Sequence, residues 1–320
     1  MANHRKIWLW TAVSLVLIGC FLFGGVMAAH HWDFSQLSAN YYETNTHIIS
    51  QHFHSISIDT DTADITFIPT EEASSSVVCY ERKNVIHTVT VTDDTLEIKV
   101  VDSRKWYEHI GIHFTAPKIT LYLPESQYTA LSVNESTGDI EIPDAFQFVR
   151  ADLRLSTGDV RFEASASETV NIKTSTGKIL VENISAGALD LCATTGAITV
   201  SNVVCAGDVK TNVSTGKTVL NHLSCKNLTA DATTGSITLE NVVAEEKFTI
   251  STDTGDVRFN GADAGEISVK TDTGDVTGNL LTDKVFIAHA DTGKVRVPHT
   301  TAGGKCEIST DTGDIMITVK

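Results

Sequence analysis

The chain has 320 residues, with 24 basic and 40 acidic side chains and a net charge of −16. Such a surface repels phosphate backbones and anionic lipid headgroups, which excludes nucleic acid as a partner. Only five prolines occur, and Thr, Ser, Val, Ile and Asp recur throughout, a mixture that favours strands and tight turns over helices.

Residues 1–6 form a short basic tail, with Arg5 and Lys6 at its end. Residues 7–29 carry no charge, and as a helix they reach roughly 34 Å, enough to cross a bilayer core. All 40 acidic residues follow this segment, and Trp8 and Trp10 suit a membrane interface. The charge asymmetry predicts a single-pass transmembrane helix with the C-terminal body outside the cytoplasm. Two other readings stay open. Val26-Met27-Ala28 resembles the end of a cleaved signal peptide, and Leu17-Ile18-Gly19-Cys20 resembles a lipoprotein signal. All three deliver the body to the same side of the membrane. Residues 30–47 read as a polar stalk.

A Thr-Gly pair recurs at ten evenly spaced places, at Gly138, Gly158, Gly177, Gly196, Gly216, Gly235, Gly255, Gly274, Gly293 and Gly313. The spacing is 19 or 20 residues throughout. Two positions after each glycine stands a β-branched aliphatic, Ile140 to Ile315, with Thr218 the exception. Five and seven positions before it stand apolar pairs such as Val133/Leu131, Ile172/Val170 and Ile308/Cys306. Polar residues alternate with both sets. Each unit therefore reads as strand, tight turn, strand, second corner. A unit this short cannot bury its own apolar face, but stacked units can. The fold class expected is all-β, a single-chain parallel β-helix with 19–20 residues per coil behind one transmembrane helix. Ten coils at about 4.8 Å give a rod of roughly 48 Å. Asn183, Asn202 and Asn241, with His222 in the same phase, suggest an amide ladder at the second corner.

Residues 131–320 hold the regular repeats, and residues 48–130 hold degenerate rungs. Asp61-Thr62-Ala63-Asp64-Ile65 repeats the turn with Ala for Gly. Val89–Val91 and Leu96–Val100, across Asp93-Asp94-Thr95, read as another rung. Residues 102–118 break the phase and read as an insertion that caps the solenoid. Its Trp106, Tyr107, His109 and His113 are the candidate ligand-binding patch. At the other end the repeat runs to Lys320, which predicts an open edge at Ile315–Val319 and either end-to-end self-association through it or a partner that caps it.

The repeated Ser/Thr/Asp-Thr-Gly-Asp/Lys-Ile/Val units behind an apolar helix resemble a bacterial family of β-strand-repeat proteins of unknown function, related to adhesin head domains. The resemblance covers about residues 50–320. It implies a cell-surface β-helix with an adhesin-like role and supplies no catalytic residues to carry over.

Asp-Thr-Gly at residues 253–255, 272–274, 291–293 and 311–313 matches the aspartic-protease triplet, but stacked turns put these acids along one edge instead of facing across a cleft. An Asp side chain accepting the backbone N–H two residues on explains the triplet better. The same column, Asp253, Asp272, Asp291 and Asp311, is the candidate Ca²⁺ site. Cys205 and Cys225 each lie nine residues after a repeat glycine, so they stack and form the candidate disulfide, with two free thiols as the competing reading. No cofactor and no catalytic residue is expected. The function expected is a membrane-anchored binding or scaffold rod for a protein or glycan ligand. The alternatives are a polysaccharide-processing β-helix enzyme, for which Asp59, Asp61 and Asp64 would be the place to look, and an envelope-stress or signalling accessory.

Overall fold

A computed structural model describes residues 2–29, 42–72, 74–104 and 116–320. The N-terminal segment is one helix, Ala2–Ala29, and its Trp10–Ala29 stretch is long and apolar enough to cross a membrane. Among the described residues the body is a β-solenoid built from a single coiled sheet of 22 strands.

The alternation seen in the sequence fixes which side chains enter the core. Ile140, Val160, Ile179, Ile198, Ile237, Val257, Val276 and Ile315 are all buried, as are the inward pairs before every repeat glycine except Gly293, where Phe286 and Ala288 are half-buried. Each such side chain removed from water contributes about 1.5–3 kcal/mol, and only stacking of neighbouring coils makes that removal complete. Toward the N-terminal end the core becomes aromatic. Phe67 meets Phe146 edge-on at 5.8 Å, and Tyr128 lies 6.0 Å from Phe148.

The ten turn glycines form one column. Their φ angles run from 145° to 156°, a region that side-chain-bearing residues rarely enter. A Cβ on any of them would also collide with the main-chain carbonyl of the residue stacked below it, Ala63 beneath Gly138 and a glycine beneath each of the others. Gly at this place is thus required twice, by conformation and by the close approach of successive coils. The glycine N–H donates to the threonine carbonyl of the next coil, as from Gly138 to Thr157 at 3.0 Å and from Gly255 to Thr273 at 2.9 Å. This overturns the reading of Asp253, Asp272 and Asp311 as acceptors of the N–H two residues on, because the Gly255, Gly274 and Gly313 N–H groups are already bonded across the stack.

The acids that hold the turn are those after the glycine. Asp139 Oδ1 accepts the Asp159 N–H at 2.8 Å, Asp159 accepts from Lys178 at 2.7 Å, and Asp275 accepts from Asp314 at 2.7 Å. At the second corner Asn183, Asn202, His222 and Asn241 all have φ between 49° and 58°, the left-handed region that Asn tolerates best. Asn202 Nδ2 donates to Asn183 Oδ1 at 3.1 Å, and Asn241 Nδ2 approaches His222 Nε2 at 3.4 Å, so the amide ladder exists in part.

Both ends of the stack depart from chain order. At the C-terminal end, strand Gly304–Thr312 pairs in parallel with Val257–Thr273 on one side and Lys284–Thr292 on the other. Ile315–Val319 likewise lies between Val276–Leu280 and Val295–Arg296. The last coil in sequence is therefore the penultimate coil in space. On that outer side Val295–Arg296 pairs only with Ile315 and Met316, so the open edge expected at Ile315–Val319 is confined, among the described residues, to 317–319. The outermost coil is Lys284–Arg296, with Ile287 52% and Val295 42% exposed. The coil carrying the fuller apolar set, Cys306, Ile308, Ile315 and Ile317, takes the sandwiched place where all four are buried.

The N-terminal end is rearranged in the same way. Ser55–Thr62 pairs with Gln127–Thr137 and with Thr95–Asp102, both parallel, so the coil at residues 55–70 sits between two later ones. Val85–Thr92 and Thr95–Asp102 form an antiparallel hairpin, with Asp93 and Asp94 at φ 48° and 65° in its turn. The Asp93-Asp94-Thr95 segment is thus a hairpin turn rather than a coil corner. Ser75–Arg82 lies antiparallel to Lys118–Pro124 and to Tyr42–Ile49. These antiparallel strands close this end, and residues 105–115 of the expected cap lie outside the described residues. Residues 42–47, expected within the stalk, belong to the strand Tyr42–Ile49, whose Ile49 is buried.

Candidate functional site

Short corners leave little room for an enclosed pocket, so the candidate site is a groove on the face formed by the strand before each glycine. A groove of about 570 Å³ crosses the coils from Gly138 to Gly216. Small side chains, Ala130 and Ala188, leave space on a face where longer ones stand at Arg150 and Lys210. Outward positions six residues before successive glycines supply Ser132, Asp152, Asn171, Asp190 and Lys210. Strand alternation aims these side chains into the groove because their neighbours point into the core.

The groove mixes both signs of charge. Asn171 Nδ2 donates to Asp152 Oδ2 at 3.0 Å, and Arg154 Nε lies 3.0 Å from Asp152 Oδ1. Asn171 Oδ1 is buried and has no hydrogen-bond partner among the described residues. It is an acceptor left over after the protein's own pairing is complete. Lys173 Nζ lies 3.9 Å from Asp190 Oδ2, and Asn227 Nδ2 donates to Asp208 Oδ1 at 3.0 Å. The face therefore presents interleaved donors and acceptors over several coils.

The residues singled out in the sequence are spread over the rod. Asp253, Asp272, Asp311 and Asp291 stand on consecutive coils in that spatial order, exposed or half-buried. Asp272 pairs with Lys270 at 3.5 Å, and Asp291 pairs with His289 at 2.8 Å. Trp106, Tyr107, His109 and His113 lie outside the described residues. Asp59 accepts from Asn134 Nδ2 at 2.9 Å and Asp64 accepts from the Asp139 N–H at 3.3 Å, so both serve the stacking of coils. Val204 pairs with Ser224, which stacks Cys205 on Cys225 in adjacent coils. Both are buried free thiols, with Cys205 Sγ turned to the carbonyls of Gly187 and Asp208. Burial, then the neighbouring Cys205 and acids, pushes the Cys225 thiol up to about 12.

A second polar site, which the repeat pattern did not reveal, lies at the junction between the first regular coil and the N-terminal cap. Glu135 is buried where most coils carry Thr, Ala or Val, with Oε1 accepting the Ala63 N–H at 3.1 Å. Desolvation raises its pKa to about 8, and Asp64 and Asp139 add to the effect against that bond. Thr60 pairs with it in the register and meets His87 Nε2 at 2.8 Å. The missed signal is an acid at a position of inward phase.

No curated protein matches the chain. Among solved structures, a candidate lipid-binding protein of Parabacteroides distasonis ATCC 8503 is similar at 17% identity, over 75% of this chain and 97% of that one, with a TM-score of 0.50. A candidate adhesin of the same organism is 14% identical, covering 84% of this chain and 97% of that one, with a TM-score of 0.43. Another, from Bacteroides fragilis NCTC 9343, is 16% identical over 86% and 97%, with a TM-score of 0.42. At 17% identity the likeness to the first of these concerns the fold alone. The family model described as Toastrack DUF4097 matches residues 53–214 and again 206–320, nearly the whole solenoid, and the chain belongs to that family.

Proposed function

We propose that the chain is a membrane-anchored, extracytoplasmic binding rod without catalytic activity, and that its side groove holds an extended, uncharged polar ligand, a glycan strand. The carrying observation is the carboxamide oxygen of the groove-lining Asn171, buried and without a hydrogen-bond partner among the described residues. A buried acceptor without a hydrogen bond costs about 1–3 kcal/mol, which a ligand hydroxyl recovers on binding. Interleaved Asp152, Asp190, Arg150 and Lys210 suit a neutral chain of hydroxyl groups better than a strongly charged one. The net charge of −16 disfavours an anionic lipid headgroup at this face. The apolar helix supports anchoring, and the adhesin and lipid-binding descriptions of the similar structures support a binding role.

Calorimetric titration of the detergent-solubilised chain with neutral and acidic oligosaccharides tests this reading. A neutral oligosaccharide binds, is recovered at its original length, and binds about tenfold more weakly to Asn171→Ala, the loss of about one hydrogen bond. Shortened oligosaccharides would establish the enzyme instead, and affinity unchanged in Asn171→Ala would remove the groove from the account.

A further inference from the structure

Ser75–Arg82 and Val85–Thr92 are joined by a short turn in the antiparallel cap. Cys79 and Glu81, two residues apart, share the inward face of the first strand, and the second strand brings His87 against them. All three are buried, and one donor atom from each lies within 4.8 Å of the others. Among the described residues no other group of three such side chains meets that condition.

The remaining atoms of two of these side chains are held in place. His87 Nε2 is 2.8 Å from Thr60 Oγ1, which leaves Nδ1 facing the cluster, 2.7 Å from Glu81 Oε2. Asn45 Nδ2 donates to Glu81 Oε1 at 2.7 Å, fixing the carboxylate so that Oε2 points at His87. Outer hydrogen bonds that fix the unused nitrogen of an imidazole and the unused oxygen of a carboxylate are what orient metal ligands. On the adjoining strand, His47 carries a buried Nε2 without a hydrogen-bond partner among the described residues.

We propose that Cys79 Sγ, Glu81 Oε2 and His87 Nδ1 bind one divalent transition-metal ion, with zinc the best match to a thiolate, imidazole and carboxylate donor set. Zinc takes these donors at about 2.0–2.3 Å in tetrahedral geometry. Binding displaces the proton between His87 and Glu81 and the proton of the Cys79 thiol, so affinity falls as pH falls. Without the ion, burial followed by the Glu81 charge pushes the Cys79 thiol up to about 12, and the sulfur is inert. The ion would tie the cap hairpin together from within, at the end of the solenoid where antiparallel pairing replaces the regular stack.

The test is Co²⁺ titration of the full chain in detergent after chelator treatment. Wild type is expected to develop a thiolate-to-cobalt charge-transfer absorption that saturates at one ion per chain and is bleached by Zn²⁺. Cys79→Ser is expected to lose the band, while Cys225→Ser retains it. Thr60→Val, which leaves all three ligands in place, is expected to weaken binding by about 10–100-fold. Absence of the band in wild type overturns the proposal whether or not Cys79→Ser folds, and so does a band that persists in Cys79→Ser.

Discussion

Glu135 occupies an inward place in the stack, at the junction between the regular coils and the cap. Its Oε2 is buried without a hydrogen-bond partner among the described residues, so the carboxyl is best accommodated with its proton on. Its folded pKa of about 8 lies above the ordinary value of 4.5. Between those limits the folded chain keeps a proton that the unfolded chain releases. The contribution of Glu135 is therefore fully present below about 4.5 and is lost as the pH rises toward 8, with a slope of at most about 1.4 kcal/mol per pH unit. Denaturant melts across this window are expected to show stability falling with pH in wild type and a shallower fall in Glu135→Gln. An identical slope in both would contradict the assignment. At this scale the sequence was informative where a residue repeats. The glycine column and the Asn183, Asn202 and Asn241 positions were legible because one backbone conformation recurs at one phase. The role of the acids was legible only halfway. Two Asp columns flank the glycines, and spacing does not say which one faces the next coil's N–H. Glu135, Glu81 and His87 occur once each, and nothing in a periodic pattern marks them.

Lys284 and Asp263 form a buried ion pair that acts on whole elements. Lys284 stands opposite Gly304 in the register, and its ammonium lies 2.6 Å from Asp263 Oδ1, on a strand beyond the Gly304 strand. The lysine stem passes the place where Gly304 has no side chain, with Cδ 3.8 Å from the position a Cβ would take. The pair thus ties the outermost coil to the coil two below, across the inserted one. Both side chains are at most 10% exposed, so the ammonium and carboxylate depend on each other. Lys284→Met strands the Asp263 charge and is expected to lower stability by about 3–5 kcal/mol, and Asp263→Leu added to it is expected to recover most of that loss. Chemical denaturation of the two variants checks this, and a neutral single variant would show that the pair does not hold the coil. Val85–Thr92 and Thr95–Asp102 illustrate a different limit. Their alternation predicts strands correctly, but alternation is the same for parallel and antiparallel partners. The two Asp residues in the left-handed region decide for a hairpin.

Over the whole molecule the repeat specifies a column position for each residue but not the order in which coils are laid down. Any coil with Val or Ile at the inward places fits any neighbour. At the C-terminal end the choice falls to burial. The 304–319 coil carries four inward apolar residues that are all buried, whereas Val295 of the 284–296 coil, in register with Ile315, is left 42% exposed at the end of the stack. An antiparallel cap closes the N-terminal end of the rod, whereas the outermost C-terminal coil, Lys284–Thr292 with Val295–Arg296, keeps a free edge among the described residues. The side groove then remains as an extended polar face, which is the basis of the binding role proposed above.

Lys270, Ser309 and His289 stand in one outward column, in that spatial order. Disulfide trapping between pairs of cysteines introduced there tests the stacking directly, because a bridge requires Cα atoms within about 4.4–6.8 Å. Lys270→Cys with Ser309→Cys is expected to cross-link readily, and Lys270→Cys with His289→Cys is expected not to. The reverse pattern would mean that the coils stack in chain order, and failure of both pairs would mean that these segments do not stack at all.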